Sequence, residues 1–307
     1  MLLCYLLHNA AKDCTNMKTK NVTKNIHKSQ KLWRYMTLDR LINLLDTKKL
    51  FFTPTKFYAS TDPFEGLIPK SALDAIAGVL SKSQSEMIES IDKVRNHALL
   101  NSPFSDEIKS VAASRFDEIR EQAKSHTLKM ESIYFNIMSC VVVNCWHTNN
   151  SESEAMWKLY SDSHKGIAIQ TTAESLIESV IDPKADRMFF SEIKYIDFDS
   201  PDIKPGDCVV NGNIGPLLKR TAFQHENEAR LYFLPEKQYT NVEEAKPSPE
   251  LIDVDVNKLI HKVFISPYAS EPFPSSVRCV LKMFGIPEEK IITSSLLTPG
   301  NHLTRMF

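Results

Sequence analysis

Two carboxylates with an arginine beside them are the first residues in this chain that could do chemistry. They are Glu226, Glu228 and Arg230, in the run His225-Glu226-Asn227-Glu228-Ala229-Arg230-Leu231-Tyr232-Phe233-Leu234. Read as a strand with a period of two, the run places Ala229, Leu231 and Phe233 on one face and Glu226, Glu228, Arg230 and Tyr232 on the other. Carboxylates so placed stand roughly 7 Å apart. In a cleft, such a like-charged pair beside an arginine has its proton affinities driven apart, which is what acid–base work requires. A solvated strand face with a cross-strand ion pair has the same pattern. The turn Ser60-Thr61-Asp62-Pro63-Phe64-Glu65-Gly66 adds two more acids. There Asp62 can bond its own downstream backbone and Pro63 fixes φ, which leaves Phe64 and Glu65 unexplained by turn chemistry. Asp62, Glu65, Glu226 and Glu228 together are also the carboxylates a metal-dependent nuclease would need.

A second stretch, Cys145 to Gly166, packs two tryptophans, two histidines and a tyrosine into 22 residues. Ser151 followed by Glu154 reads as a capping box that opens a helix, and Gly166 as the residue that closes it in the left-handed conformation. Met156, Trp157 and Tyr160 then share a stripe, with His164 elsewhere around the cylinder. Such a stripe describes a packed core face as well as a ligand wall. Cys140, Cys145, His147 and His164 suggest a metal, but Cys140 and Cys145 differ by an odd number and face opposite sides of one strand. No CxxC or HExxH spacing occurs. A Cys or Ser nucleophile with a histidine base is a spatial arrangement that sequence order does not reveal, and no nucleophile elbow is present.

These residues need a scaffold, and 307 residues are enough for a sizeable core. Net charge is −1, so a broad phosphate-neutralising surface for nucleic acid is not expected, nor attraction to a membrane surface. Only 8 glycines occur, and neither GxGxxG nor GxxxxGK[ST] is among their contexts, which disfavours Rossmann and P-loop enzymes. Asn211 to Gly215 reads as a turn. Six cysteines without regular spacing point to reduced thiols and a cytoplasmic protein. The opening MLLCYLL is too short to span a bilayer and lacks the features of a signal peptide.

The expected fold is α+β, a mixed β-sheet core with a helical insertion. Residues 1–31 form a flexible N-terminal segment, and 32–307 a single domain. A strand near Leu32–Met36 leads to a helix capped by Thr37, then to a strand at Leu50–Thr53. Two amphipathic helices separated at Asn101-Ser102-Pro103 fill the insertion, at about 70–131, as scaffold, lid or an arm for a protein partner. Ser139–Trp146 is a continuous β-branched run and reads as a central strand. Strands follow at Gly166–Thr171, around Tyr195, at Leu259–Ile265 and at Ile291–Thr293. Short helices fall at 216–225 and 276–284, and a polar linker at Asn241–Pro249.

The order LWRYMTLDRLINLLDTKKLFFTP, TDPFEG, a strand ending in CW, AMWKLYSDSHKGIAI, ENEARL and KLIHKVFISP resembles a bacterial domain-of-unknown-function family. Its members carry a YKYR-like start, a FNDPFE turn, an MWxxYxxxxxG helix and an ExEWR strand. The resemblance covers about 32–295. It departs at Thr61, where Asn is usual, at Ala229, where an aromatic is usual, and at Arg34, which stands for Lys. In outline the layout is also similar to ADP-ribosyltransferase-type folds. That resemblance implies a cytoplasmic NAD-dependent transferase or NAD-cleaving effector in bacterial defence or stress. Glu228 would be the catalytic carboxylate, Glu226 a second acid, and Arg34, Tyr35, Trp157 and Tyr160 the NAD-binding residues. Asp62, Phe64, Glu65, His164 and Arg230 complete the cleft. The alternatives are a nonenzymatic module that binds a ligand or protein, and the nuclease.

Overall fold

The computed structural model describes residues 22, 25–100, 103–211, 216–237 and 246–298. Most of the N-terminal segment, the helix break at 101–102, most of the turn at 211–215 and the linker through 245 lie outside these residues. The described part of the N-terminal segment is tied down. Ile26 is in the core, and the carbonyls of Lys28 and Gln30 accept from the backbone N–H groups of Glu174 and Ala173.

The elements in chain order begin with β1 (Lys31–Thr37), α1 (Leu38–Thr47) and β2 (Lys49–Pro54). Next come α2 (Lys70–Leu100), α3 (Asp106–Cys140), β3 (Val142–Thr148), α4 (Glu154–Tyr160), β4 (Gly166–Thr172) and α5 (Ala173–Ser179). They continue with β5 (Phe189–Glu192), β6 (Lys194–Ile196), β7 (Leu218–Arg220), β8 (Glu228–Phe233) and β9 (Glu250–Asp253). The chain finishes with α6 (Val256–Leu259), β10 (Lys262–Ile265), α7 (Phe273–Met283) and β11 (Ile291–Thr293). This is the expected α+β architecture. Nine strands form the main sheet in the order β11-β10-β4-β1-β3-β2-β9, with β8 paired to β3 and β5. It is mixed because β10 and β11 run parallel while the other pairs are antiparallel.

The sheet forks at β3. One edge of β3 is taken along its length by β8, from Val142↔Phe233 to His147↔Glu228. Its other edge is shared, by β1 at Trp33↔His147 and by β2 at Thr53↔Val143. Asn144 and Trp146 hold the fork: Asn144 Nδ2 donates to the Phe51 carbonyl (2.9 Å) and Trp146 Nε1 to Asn144 Oδ1 (2.7 Å).

Both sheet faces are covered. The first packs Leu41, Leu44 and Leu45 of α1, Leu176 of α5, Leu259 of α6, and Val277 and Leu281 of α7 over Leu32, Trp146, Ile169 and Leu231. The second face carries two separate clusters. One joins the root of the helical arm (Ala72, Tyr134, Ile137, Met138) to Leu217, Leu218 and Tyr232. The other joins Trp33, Tyr35, Met156, Trp157, Ala168 and Phe264. Arg230 and Glu228 lie on the second face, by strand alternation with Tyr232.

Several boundaries differ from expectation. The insertion runs to Cys140, and β3 starts only at Val142, because an apolar run of this length reads alike as buried helix end and strand. The 216–225 helix is instead β7 followed by a 3₁₀ turn, Thr221–Glu226. The cap of α4 is Ser153, which accepts from the Met156 N–H, and not Ser151. Gly166 begins β4 with no left-handed backbone. It is glycine for space, since a Cβ there would lie 1.9 Å from Ser161 Oγ. Ser163 and His164 take the positive φ values in that turn (48° and 69°).

Candidate functional site

Arg230 is the centre of a buried ion network on the second face. Its Nη1 and Nη2 donate to Glu65 Oε1 and Oε2 (2.5 and 3.0 Å), and its Nε and Nη2 to Glu228 Oε1 and Oε2 (2.6 and 3.1 Å). Nη1 also donates to the Pro216 carbonyl (2.7 Å), so all five guanidinium N–H groups are used. Lys219 continues the chain, donating to Glu228 Oε2 (3.2 Å) and to Glu226 Oε2. The order is Glu65, Arg230, Glu228, Lys219, Glu226: three carboxylates and two cations.

That imbalance splits the two acids of the opening run. Burial alone would raise Glu228, but Arg230 and then Lys219 outweigh it and hold its carboxyl down at about 2. Glu226 goes the other way: burial raises it, and Lys219 only partly offsets the rise. Glu65 and Glu228 already balance the two cations, so a charge on Glu226 is the surplus one. Glu228 is thus the carboxylate held ionised most firmly, and Glu226 takes up a proton more readily than a free glutamate does.

Local structure delivers both acids to one lysine. Glu226 ends the 3₁₀ turn and lies outside β8, with Asn227 left-handed (φ 38°) between the two. Asn227 is pinned: its carbonyl accepts from Thr148 N and Thr148 Oγ1 (both 2.8 Å), and its Nδ2 donates to the Thr148 carbonyl. Tyr195 Oη accepts from the Glu228 N–H (2.8 Å). Glu65 is delivered by its turn. Asp62 Oδ1 accepts from Phe64 N (3.1 Å), Gly66 takes φ 74°, and Arg220 Nη2 closes the turn on Asp62 Oδ1 (2.9 Å). Arg220 also lies over the Phe64 ring (4.4 Å).

His147, opposite Glu228 in the β3–β8 register, adds a directed nitrogen. Its Nδ1–H donates to the Glu226 carbonyl (2.5 Å), which leaves Nε2 as the unprotonated, acceptor nitrogen. Nε2 is buried without a hydrogen-bond partner, and burial lowers the proton affinity of the ring. Tyr160 stands at the rim, 40% exposed, its hydroxyl pushed up first by burial and then by Glu226. Cys145 is paired across β3 to Arg230, and burial raises its thiol, so it is a poor nucleophile.

The structure therefore brings together Glu65, Glu226, Glu228, Arg230 and Tyr160, with Asp62 and Phe64 adjoining through Arg220. Other candidates sit elsewhere. Tyr35 and Trp157 are on the same face but interior: their rings meet edge to face (4.9 Å), Tyr35 Oη accepts from Ser153 N, and Trp157 Nε1 donates to Glu152. Arg34 lies at the fork of the sheet, near the Trp146 ring (5.7 Å to its centroid) and within electrostatic reach of Cys145 and Tyr58, with a buried Nη1 that has no hydrogen-bond partner. His164 is exposed on the turn after α4, near Tyr268 (5.5 Å between rings). Lys219 and Tyr195 carry no sequence motif, and His147, which the sequence offers only as a metal candidate, instead faces Glu228 across the β3–β8 pair. Among the described residues no group of three His, Cys, Asp or Glu side chains is placed to hold a metal.

NAD can be tested against these positions. Trp157 is fully buried, and Arg230 has no N–H left for a diphosphate. Trp157 is therefore not available to stack on a nicotinamide. Comparison of the chain with family models, curated proteins and solved structures found no match. No helix among the described residues is long and apolar enough to cross a membrane.

Proposed function

We propose that the protein is an enzyme whose working group is the Glu226 carboxyl, with Glu228, Lys219 and Arg230 setting its proton affinity. The observation that carries this reading is the bridged pair: one lysine contacts two buried carboxylates, of which Glu228 is depressed and Glu226 raised from the ordinary value. Paired acids of unlike affinity suit cleavage or transfer at an acetal-type carbon, a glycosidic or N-glycosidic bond. Ionised Glu226 accepts the proton of an attacking water or hydroxyl as the new C–O bond forms. The bond to the leaving group breaks, and its electron pair departs with that group. Glu228, itself neutralised by Arg230 and Lys219, acts at one remove by holding that lysine against Glu226.

The ADP-ribosyltransferase-like reading, and with it a role in bacterial defence or stress, belongs to this reaction class and rests on the sequence resemblance. NAD is accordingly one member of a substrate panel, and no step is routed through it. The test is turnover on glycosides, nucleosides and nucleotides including NAD, followed by product chromatography. Turnover lost in Glu226→Gln supports the proposal, and a folded wild-type protein inert on every member sinks it. A second reading, a nonenzymatic binding module, is favoured by one observation: Arg230 spends every N–H inside the protein, as a structural cross-link does. Ligand retained by Glu226→Gln with no turnover in either protein would select that reading.

A further inference from the structure

We propose that the distal half of the α2–α3 arm docks against the same arm of a second copy of this chain, forming a four-helix bundle. The arm is antiparallel, with its register set by Arg95–Asp117 (3.5 Å), Arg120–Asp92 (3.6 Å) and Gln84 Nε2 on the Ala123 and Lys124 carbonyls. Those contacts hold the two helices to each other. Apolar side chains nevertheless remain outside: Met87 is 55% exposed, Val94 58% and Val111 70%. Met87, Ile91 and Val94 follow each other at i, i+4 and i+7, one stripe of α2. With Ser90, Phe116 and Ile119 they line an open groove of about 320 Å³. An apolar stripe of this kind on a soluble helix pair is what a bundle partner covers.

Charge and area identify the partner. Between Lys82 and Lys124 the arm has seven Lys and Arg against eight Asp and Glu. Many are discharged within one helix, as in Glu89–Lys93, Arg115–Glu118 and Glu121–Lys124. Such a surface has no net field to draw nucleic acid, an anionic membrane or a highly charged protein, and none to repel an identical copy. Nineteen residues of each helix, at 1.5 Å per residue and with helices about 10 Å apart, present a face roughly 28 Å long and roughly 20 Å wide. Two such faces bury ~1,100 Å² in total, above the ~1,000 Å² that a specific interface should clear. A two-fold pairing uses the same patch on both copies and closes on itself.

The experiment is light scattering on the full chain across micromolar concentrations. The expected result is twice the single-chain mass of 35.0 kDa at the upper end, falling to the single mass for Val94→Glu with unchanged helical circular dichroism. If Val94→Glu disturbs the arm, Ser90→Cys keeps the question open to decision: a short bis-maleimide should link two copies through that position with wild-type helicity retained. A wild type of single mass throughout, or a doubled mass that survives Val94→Glu together with no crosslink at Ser90→Cys, overturns the proposal. A single-mass protein that floats with apolar vesicles would assign the face to lipid and overturn it equally.

Discussion

Glu65 and Arg230, 165 residues apart in the chain, meet through two parallel hydrogen bonds with both side chains about 1% exposed. A bidentate pair so far from water is worth little against a well-packed apolar pair, yet breaking it from one side leaves a buried charge. Glu65→Ala should therefore destabilise the fold by ~3–5 kcal/mol. Arg230→Lys should behave as a disruptive change, since a lysine cannot make the fork. Urea unfolding checks both, and a loss below ~1 kcal/mol for Glu65→Ala would contradict the desolvated geometry.

Glu226→Gln and Glu228→Gln should separate activity from stability. The first removes the surplus charge of the network, so stability at neutral pH should hold or rise slightly, while turnover falls ~10²–10⁴-fold. The second leaves Arg230 and Lys219 short of a counter-charge and should cost several kcal/mol whatever happens to turnover. Equal stability losses in the two variants would show that Glu226 is another structural anion.

The same split has a pH signature. Glu228 is depressed in the folded protein, so it contributes stability above its ordinary value of 4.5 that is lost as pH falls through the folded value near 2. Glu226 is raised, so its contribution is present below its ordinary value and lost as pH rises through the folded one. Stability measured by urea midpoint should thus fall steeply between about pH 5 and pH 2. Glu226→Gln should remove the small opposing loss on the neutral side. An acid limb unchanged in Glu228→Gln would refute the assignment.

Much of the site is legible in the sequence where the signal is local. The period of two in Ala229, Leu231 and Phe233 does mark the face of β8 in the first core, and Tyr232 falls in the opposite cluster. Phe64 and Glu65 stand out because turn chemistry leaves them over. What sequence hides is what long-range packing decides. Lys219 lies on a three-residue strand with no periodicity. Asn227 takes a left-handed backbone that moves Glu226 out of the strand, so the spacing rule that paired the two acids gives way to a shared lysine. Arg34 and Tyr35 look like one binding pair in a motif, but Arg34 lies near the Trp146 ring at the fork of the sheet and Tyr35 packs against Trp157.

His147 should titrate below an unperturbed imidazole. Its Nδ1–H is committed to the Glu226 carbonyl and burial lowers the ring's affinity for a second proton. Long-range ¹⁵N spectra through a pH titration should show the Nδ1–H tautomer in the neutral form and a midpoint below that of a free imidazole, and a midpoint at or above it would place Nε2 in water.

Gly166→Ala should be destabilising by ~1–3 kcal/mol through the collision with Ser161. Because the nearest atoms are Ser161 Oγ and Cβ, Ser161→Gly should recover most of the loss. A double-mutant cycle measures that coupling, and strict additivity would mean that another contact requires the glycine.

Pro54 and Val142 are neighbours in the sheet, yet the chain between them includes the whole helical arm and Glu65. A ribosome adding ~5–20 residues per second needs roughly 4 to 17 seconds to make that interval. Throughout it β1 and β2 have emerged without the strand that joins them, and the arm must mature first. The assembly of this sheet is therefore timed by its least sheet-like segment, and codons that slow translation across the arm would lengthen the exposure of two unpaired strand edges.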